Sequence, residues 1–243
     1  LPSPQLVRAL SDVAIGTGFT ETTFRLLLDS SIRPLYEARG RIRVSFPKIS
    51  AEQSMLVEGV IVTTTVNEGP SYSLGELKFA GINPKDADEL QKVANIQAND
   101  IANFEDVKAG IDRVLARYVS RGYMKASARV DRAIDDKIHK VDLTATVEPG
   151  PLYTMGKLEI VGLDITSEPA IRKIWGIKPG APFQPSYPDS FLNDIRAQDL
   201  FDNLGKTKAE TVIDEKSHVV DVKLTFGGAA PVDDRRRKKN PGY

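Results

Sequence analysis

Three stretches of the chain alternate apolar and polar positions with a period of two. Val60, Val62 and Val66 alternate with Ile61, Thr63 and Thr65; Val141, Leu143, Ala145 and Val147 alternate with Asp142, Thr144 and Thr146. Near the end, Val220, Val222, Leu224 and Phe226 alternate with Asp221, Lys223 and Thr225. Successive strand side chains point to opposite faces, so each stretch predicts a strand with one face covered by other structure.

What covers these strands reads as helix. Phe104, Val107, Ile111, Val114, Leu115 and Tyr118 recur at steps of three and four, which gathers them on one helix face. Phe24, Leu28, Ile32 and Leu35 do the same earlier in the chain, and Tyr187, Phe191 and Ile195 begin the pattern later. A shorter helix is predicted ahead of each, over residues 4–15, 84–94 and 167–175. Prolines near those starts suit a first helical turn, where the missing N–H has no partner to lose.

After the long middle helix, Ala126, Ala128 and Val130 alternate with Ser127, Arg129 and Asp131. Asp135-Asp136-Lys137 then turns the chain into the next strand, and Asp214-Glu215-Lys216 serves the third unit in the same way. Each unit therefore runs strand, helix, helix, strand, strand. The first begins at its first helix, and its opening strand is absent from this sequence.

A near-copy sets the period. VNEGPSYSLGELKFAG at 66–81 returns as VEPGPLYTMGKLEIVG at 147–162, sharing Val66/Val147, Gly69/Gly150, Pro70/Pro151, Tyr72/Tyr153, Gly75/Gly156, Leu77/Leu158 and Gly81/Gly162. Tyr36, Arg39 and Gly40 likewise return as Tyr118, Arg121 and Gly122. The chain divides accordingly into units at 1–70, 71–150 and 151–228, followed by a polar, basic tail over 229–243 expected to be disordered.

The predicted fold is α+β, with tandem β-α-α-β-β units. Each is a three-stranded mixed sheet covered on one face by two helices, and the first unit's sheet is two-stranded or borrowed. The crossover through two helices makes the first strand parallel to a hairpin strand. The third strand, with the most continuous apolar face, takes the centre. The second carries Arg41 and Arg43, Lys125 and Arg129, or Lys206 and Lys208, and charge on an edge deters uncontrolled pairing. It is the expected free edge. Gly69-Pro70 and Gly150-Pro151 leave too few residues for flexible linkers, so an extended rod with stiff joints is expected.

Composition narrows the function. The formal net charge is zero, which removes the general electrostatic case for nucleic acid or an anionic membrane. The outward Asp142, Thr144 and Thr146 supply neither the basic nor the aromatic surface that a nucleic-acid-binding sheet needs. No apolar run approaches the ~20 residues of a membrane helix, and cysteine is absent. No acid, base and nucleophile converge in any unit, and no phosphate loop or nucleophile elbow occurs. His139 and His218 fall at equivalent hairpin turns of different units and read as solvated turn residues. Asp135-Asp136 and Asp233-Asp234 lack the wider ligand pattern of a metal site. Trp175 is assigned to the third core, and the run Arg235 to Lys239 to a solvated terminus. No enzyme, cofactor or metal is expected.

The β-α-α-β-β order, the period of about eighty residues, the Gly-Pro joint before a strand ending in Gly81 or Gly162, and Tyr118-Val119-Ser120-Arg121-Gly122-Tyr123 together resemble the POTRA, or polypeptide-transport-associated, family. The middle unit matches best. The third has Gln198-Asp199-Leu200-Phe201 where Tyr-x-x-x-Gly-Tyr is expected, and the first has Arg41 in place of the aromatic. The resemblance implies a non-catalytic scaffold in the periplasm, associated with the outer membrane. Its partners are outer-membrane protein clients or subunits of an assembly complex, and it meets the membrane only indirectly. Strand addition at a sheet edge is the implied mode of binding, with Lys125, Ser127, Arg129 and Asp131 as the candidate partner-binding residues. A cell-envelope module acting in division or secretion, with no part in barrel assembly, is the alternative.

Overall fold

The computed structural model describes residues 2–14, 18–55, 58–197 and 205–227. Gln198 to Phe201, Asp233-Asp234 and the whole tail over 229–243 lie outside the described residues.

Three sheets form. Strands β1 (Ser45–Gln53) and β2 (Val60–Asn67) make an antiparallel pair. The second sheet has the order β3-β5-β4, from β3 (Ser73–Ala80), β4 (Ser127–Asp135) and β5 (Lys140–Glu148). The third has the order β6-β8-β7, from β6 (Thr154–Val161), β7 (Thr207–Asp214) and β8 (Val219–Phe226). β3 runs parallel to β5, and β6 parallel to β8. The expected central strand and parallel crossover are both present, and the first sheet is two-stranded. Burial explains the centre: Val141, Leu143, Ala145 and Val147 on β5 and Val220, Val222, Leu224 and Phe226 on β8 are all buried.

The helices follow the predicted periodicities. The first helices of the three repeats are α1 (Ser3–Ala14), α4 (Ala87–Ala94, after a 3₁₀ turn at Pro84–Asp86) and α6 (Ser167–Ile174). The second helices of the second and third repeats are α5 (Phe104–Ser120) and α7 (Tyr187–Ala197). In the first repeat the long helix is broken into α2 (Glu21–Leu27), a π turn over Leu28–Ile32 and α3 (Arg33–Glu37). Pro34 is the cause. It has no N–H to offer a carbonyl four residues back, and the wider turn, in which the Arg33 N–H reaches Leu28, accommodates the break.

Phe24, Leu28, Ile32, Tyr36, Val44 and Phe46 form the core of the first repeat. The third is built around Trp175, Phe183, Phe191, Ile195 and the inward face of β8. Trp175 packs edge-on against Tyr187 and Phe191 at centroid distances of 4.8 and 5.0 Å, so it is a core residue. Of the described residues, those in Leu1–Leu115 and Ala128–Glu148 pack as one body, and those in Ala116–Ser127 and Pro149–Tyr243 as another.

The second strands start later than the charge pattern suggested. Arg41 and Arg43 precede β1, Lys125 precedes β4, and Lys206 precedes β7. These cations lie on the connections entering the strands.

Candidate partner-binding edge and the repeat joints

Each three-stranded sheet has two outer strands, and their exposed sides differ. On β3 the interhelix loop closes the first half: Leu74 N–H donates to Asp100 at 2.8 Å, Asn99 to Leu74 at 2.8 Å and Ala102 to Tyr72 at 2.9 Å. On β6 the same pattern recurs, with Met155 donating to Ala181 at 2.8 Å, Gly180 to Met155 at 2.7 Å and Phe183 to Tyr153 at 2.9 Å. Among the described residues no strand lies beyond β4 or β7.

Three of the four candidate residues sit together on β4. Ser127, Arg129 and Asp131 are exposed, and Arg129 pairs with Asp131 at 3.0 Å along the strand. Ala126, Ala128 and Val130, expected to be buried, are half-buried. An outer strand has sheet on one side only, which leaves its inward face at the margin of the core.

Lys125 belongs elsewhere. Its Nζ lies 2.6 Å from Glu215 Oε2, and the Tyr153 hydroxyl donates to the same oxygen at 2.5 Å. The preceding joint has the same construction. Arg43 holds Asp136 through two hydrogen bonds of 3.0 and 2.8 Å, and the Tyr72 hydroxyl donates to Asp136 at 2.6 Å. In both, the cation enters from the segment before a second strand. The tyrosine opens the next first strand, and the acid stands at the second position of the hairpin turn.

The surrounding backbone makes the arrangement possible. Tyr72 N–H donates to Gly40, and Tyr153 N–H to Gly122, both at 2.9 Å. Gly40 and Gly122 have φ of 72° and 94°, and a Cβ on Gly40 would lie 2.7 Å from the Tyr72 carbonyl oxygen. Glycine is the residue that allows this approach. In the turns, Asp135 accepts from Lys137 N–H at 2.8 Å and Asp214 from Lys216 N–H at 2.9 Å. His139 and His218 follow at φ of 52° and 54°. Their rings meet Tyr72 and Tyr153 edge-on at 5.3 Å, and their carbonyls accept from Ser73 and Thr154 at 3.0 Å. The histidines are thus turn residues as expected, with a packing role that their positions alone did not reveal.

The electrostatics follow the hydrogen bonds. Arg43 and Tyr72 hold the Asp136 carboxyl below its ordinary range, and Lys125 and Tyr153 do the same for Glu215. The hydrogen bonds to these carboxylates push Tyr72 and Tyr153 up, with burial adding to the effect. The joints were missed as polar clusters in the sequence. The available signal was the shared tyrosine together with a cation and an acid at equivalent places in successive repeats.

Among the described residues no group of three or more His, Cys, Asp or Glu side chains is placed to hold a metal, and no helix is long and apolar enough to cross a membrane.

Sheets of parallel first strand and hairpin, two helices on one face, and a Gly-Pro joint into the next unit define a POTRA-type repeat. The chain folds as tandem POTRA-like units. Residues 72–150 match the family model described as "POTRA: Surface antigen variable number repeat". The fold is similar to that of Haemophilus influenzae BamA POTRA3-5, at a TM-score of 0.55 and 21% identity, over 87% of this chain and 82% of that one. It is also similar to Haemophilus ducreyi BamA lacking POTRA domains 1-3, at a TM-score of 0.50 and 16% identity, over 65% of this chain and 29% of that one. A curated relative from Treponema pallidum (strain Nichols), named "Putative outer membrane protein assembly factor", is 26% identical over 238 aligned residues. The alignment takes in 86% of this chain and spans 28% of that relative's length.

Proposed function

We propose that this array is a non-catalytic scaffold in the periplasm that serves outer-membrane protein assembly or polypeptide transport. It receives an extended client or partner chain on the outer side of β4, in the second repeat. The observation that carries this reading is the state of that strand: it is nine residues long, no strand lies beyond it among the described residues, and its outward side chains are exposed. Unpaired N–H and C=O groups on such an edge bind another backbone with little demand on sequence, as a scaffold for many clients requires. Ser127, Arg129 and Asp131 flank the added strand. The similarity to a relative named as an outer membrane protein assembly factor supports the setting.

Site-specific photocrosslinking tests the location. A photoreactive residue at Arg129 should capture an unfolded outer-membrane protein segment, whereas the same group at Thr144, exposed on the sheet face of the central strand, should not. Equal capture from both positions, or capture from Thr144 alone, contradicts strand addition at β4.

A further inference from the structure

The two outer strands of the second repeat differ as edges. On β3 the pairing with β5 shifts between Leu74 and Leu77, where Gly75 forms a bulge and Asp142 accepts from Glu76 N–H at 2.7 Å. A Cβ on Gly75 would overlap that carboxylate. A bulge bends a strand, and the interhelix loop closes the first half of β3, so this side is a poor template for another strand. β4 has β5 on one side and, among the described residues, no strand on the other.

The order of charges along β4 is self-complementary. Arg129 and Asp131 stand on either side of Val130, with side chains 78% and 56% exposed, and pair with each other at 3.0 Å. When two copies of one strand pair antiparallel about a two-fold axis, the residue on the axis meets itself and its neighbours cross over. With Val130 on the axis, Arg129 of each copy faces Asp131 of the other. With Arg129 or Asp131 on the axis, like charges meet. The Val130 register also opposes small residues to the rest: Ser127 faces Ala133, and Ala128 faces Arg132, whose guanidinium is engaged over the Phe104 ring at 3.5 Å and by Glu37 at 3.7 Å. β7 has the same spacing in Lys208 and Glu210, which pair at 2.7 Å. It begins at Thr207, so a pairing centred on Ala209 is shorter by one residue at each end than the one from Ser127 to Ala133.

We propose that β4 is a self-association edge: two copies of this chain join antiparallel along β4, centred on Val130, and one sheet continues into the other. The two backbones supply the hydrogen bonds, and the crossed Arg129–Asp131 pairs fix the register. Two strand edges bury little surface, so the association is weak and depends on concentration. The inference goes beyond the client reading and needs only the open side of β4. Each copy covers the edge of the other, so self-pairing and strand addition at β4 exclude one another.

Sedimentation of the full chain over a concentration series reaching about 1 mM tests this, with charge reversals as the variants. The parent should shift towards a dimer as its concentration rises. Arg129→Asp alone sets an aspartate against Asp131, and Asp131→Arg alone sets an arginine against Arg129, so either should raise the dimer Kd by about tenfold or more. An equimolar mixture of the two variants should dimerise again, because each then meets its opposite. Such recovery cannot come from variants that fail to fold. Lys208→Glu should leave the dimer unchanged. The proposal is overturned if the parent stays monomeric throughout the series, if the single reversals dimerise as the parent does, if their mixture stays monomeric, or if Lys208→Glu alone abolishes the dimer. A failure of client capture at Arg129 would leave these results standing.

Discussion

The Tyr72 hydroxyl meets the Asp136 carboxylate at 2.6 Å, and one repeat later Tyr153 and Glu215 reproduce the contact at 2.5 Å. Each pair ties the start of a first strand to the hairpin turn of the same repeat, and a cation from the preceding segment joins the same acid. The Arg43–Asp136 pair is half exposed, so screening keeps its Coulomb contribution small. Its larger effect is orientational, because three groups on three segments must meet at one carboxylate.

The joints should titrate. Both carboxylates are held low in the folded chain, so their stabilisation is complete above the unfolded-state pKa of about 4 and is lost as pH falls through the lower folded value. Thermal melts taken from about pH 6 to about pH 2 should show a falling midpoint below about pH 4. Asp136→Asn combined with Glu215→Gln should lower the midpoint at neutral pH and flatten the acid-side loss. Glu68, Asp164, Glu210 and Asp214, also held low, contribute to the slope that remains. Parallel curves for the two proteins would show that these carboxylates are not coupled to folding.

Gly75 and Asp142 should be coupled. Gly75→Ala forces its new Cβ against the carboxylate and should destabilise by about 1–3 kcal/mol, the usual range for overpacking. Asp142→Ala alone strips the Glu76 N–H of its acceptor. In the double variant the overlap has gone, so denaturant unfolding should give a total loss smaller than the sum of the two single losses. Additive losses would mean that the close approach does not govern the bulge.

Trp175 offers a different contrast. Among the described residues its buried indole N–H has no hydrogen-bond partner, while its rings pack against Tyr187 and Phe191. Trp175→Ala should cost about 3–5 kcal/mol of stability. Trp175→Phe keeps an aromatic in the core and removes a donor that has no partner, so its loss should be well under half of that. Similar losses for the two variants would point to an unrecognised role for the N–H.

Local order was readable because it recurs at short range. The alternation through Val141 to Val147 and Val220 to Phe226 marks strands buried on one face, and the spacing from Phe104 to Tyr118 marks one side of a helix. The break at Pro34 was not foreseen, because the apolar spacing of Phe24, Leu28, Ile32 and Leu35 is kept through the π turn. The joints were hidden for another reason. Arg43 meets Asp136 across 93 residues and Lys125 meets Glu215 across 90, and no local pattern links such positions. Charge alone made Arg41, Arg43 and Lys125 resemble guards of an edge strand. The backbone places them before the strands, where Arg41 donates to the Gly69 carbonyl at 2.5 Å and the other two hold acids.

Proline substitution separates an edge strand from a central one and tests the proposed binding mode most directly. Proline removes an N–H, which is tolerated where that N–H faces water and disruptive where it is paired. Leu143 lies on β5, which has a strand on either side, so Leu143→Pro should cost about 3 kcal/mol or more and unfold the repeat. Of Ser127→Pro and Arg129→Pro, the one whose N–H points away from β5 should melt within a few degrees of the parent. The measurement is the affinity of that folded variant for an extended client peptide. Strand addition at β4 predicts that binding is abolished in a protein that remains folded. A folded variant that binds the peptide with unchanged affinity, or edge variants that both unfold as badly as Leu143→Pro, would contradict it.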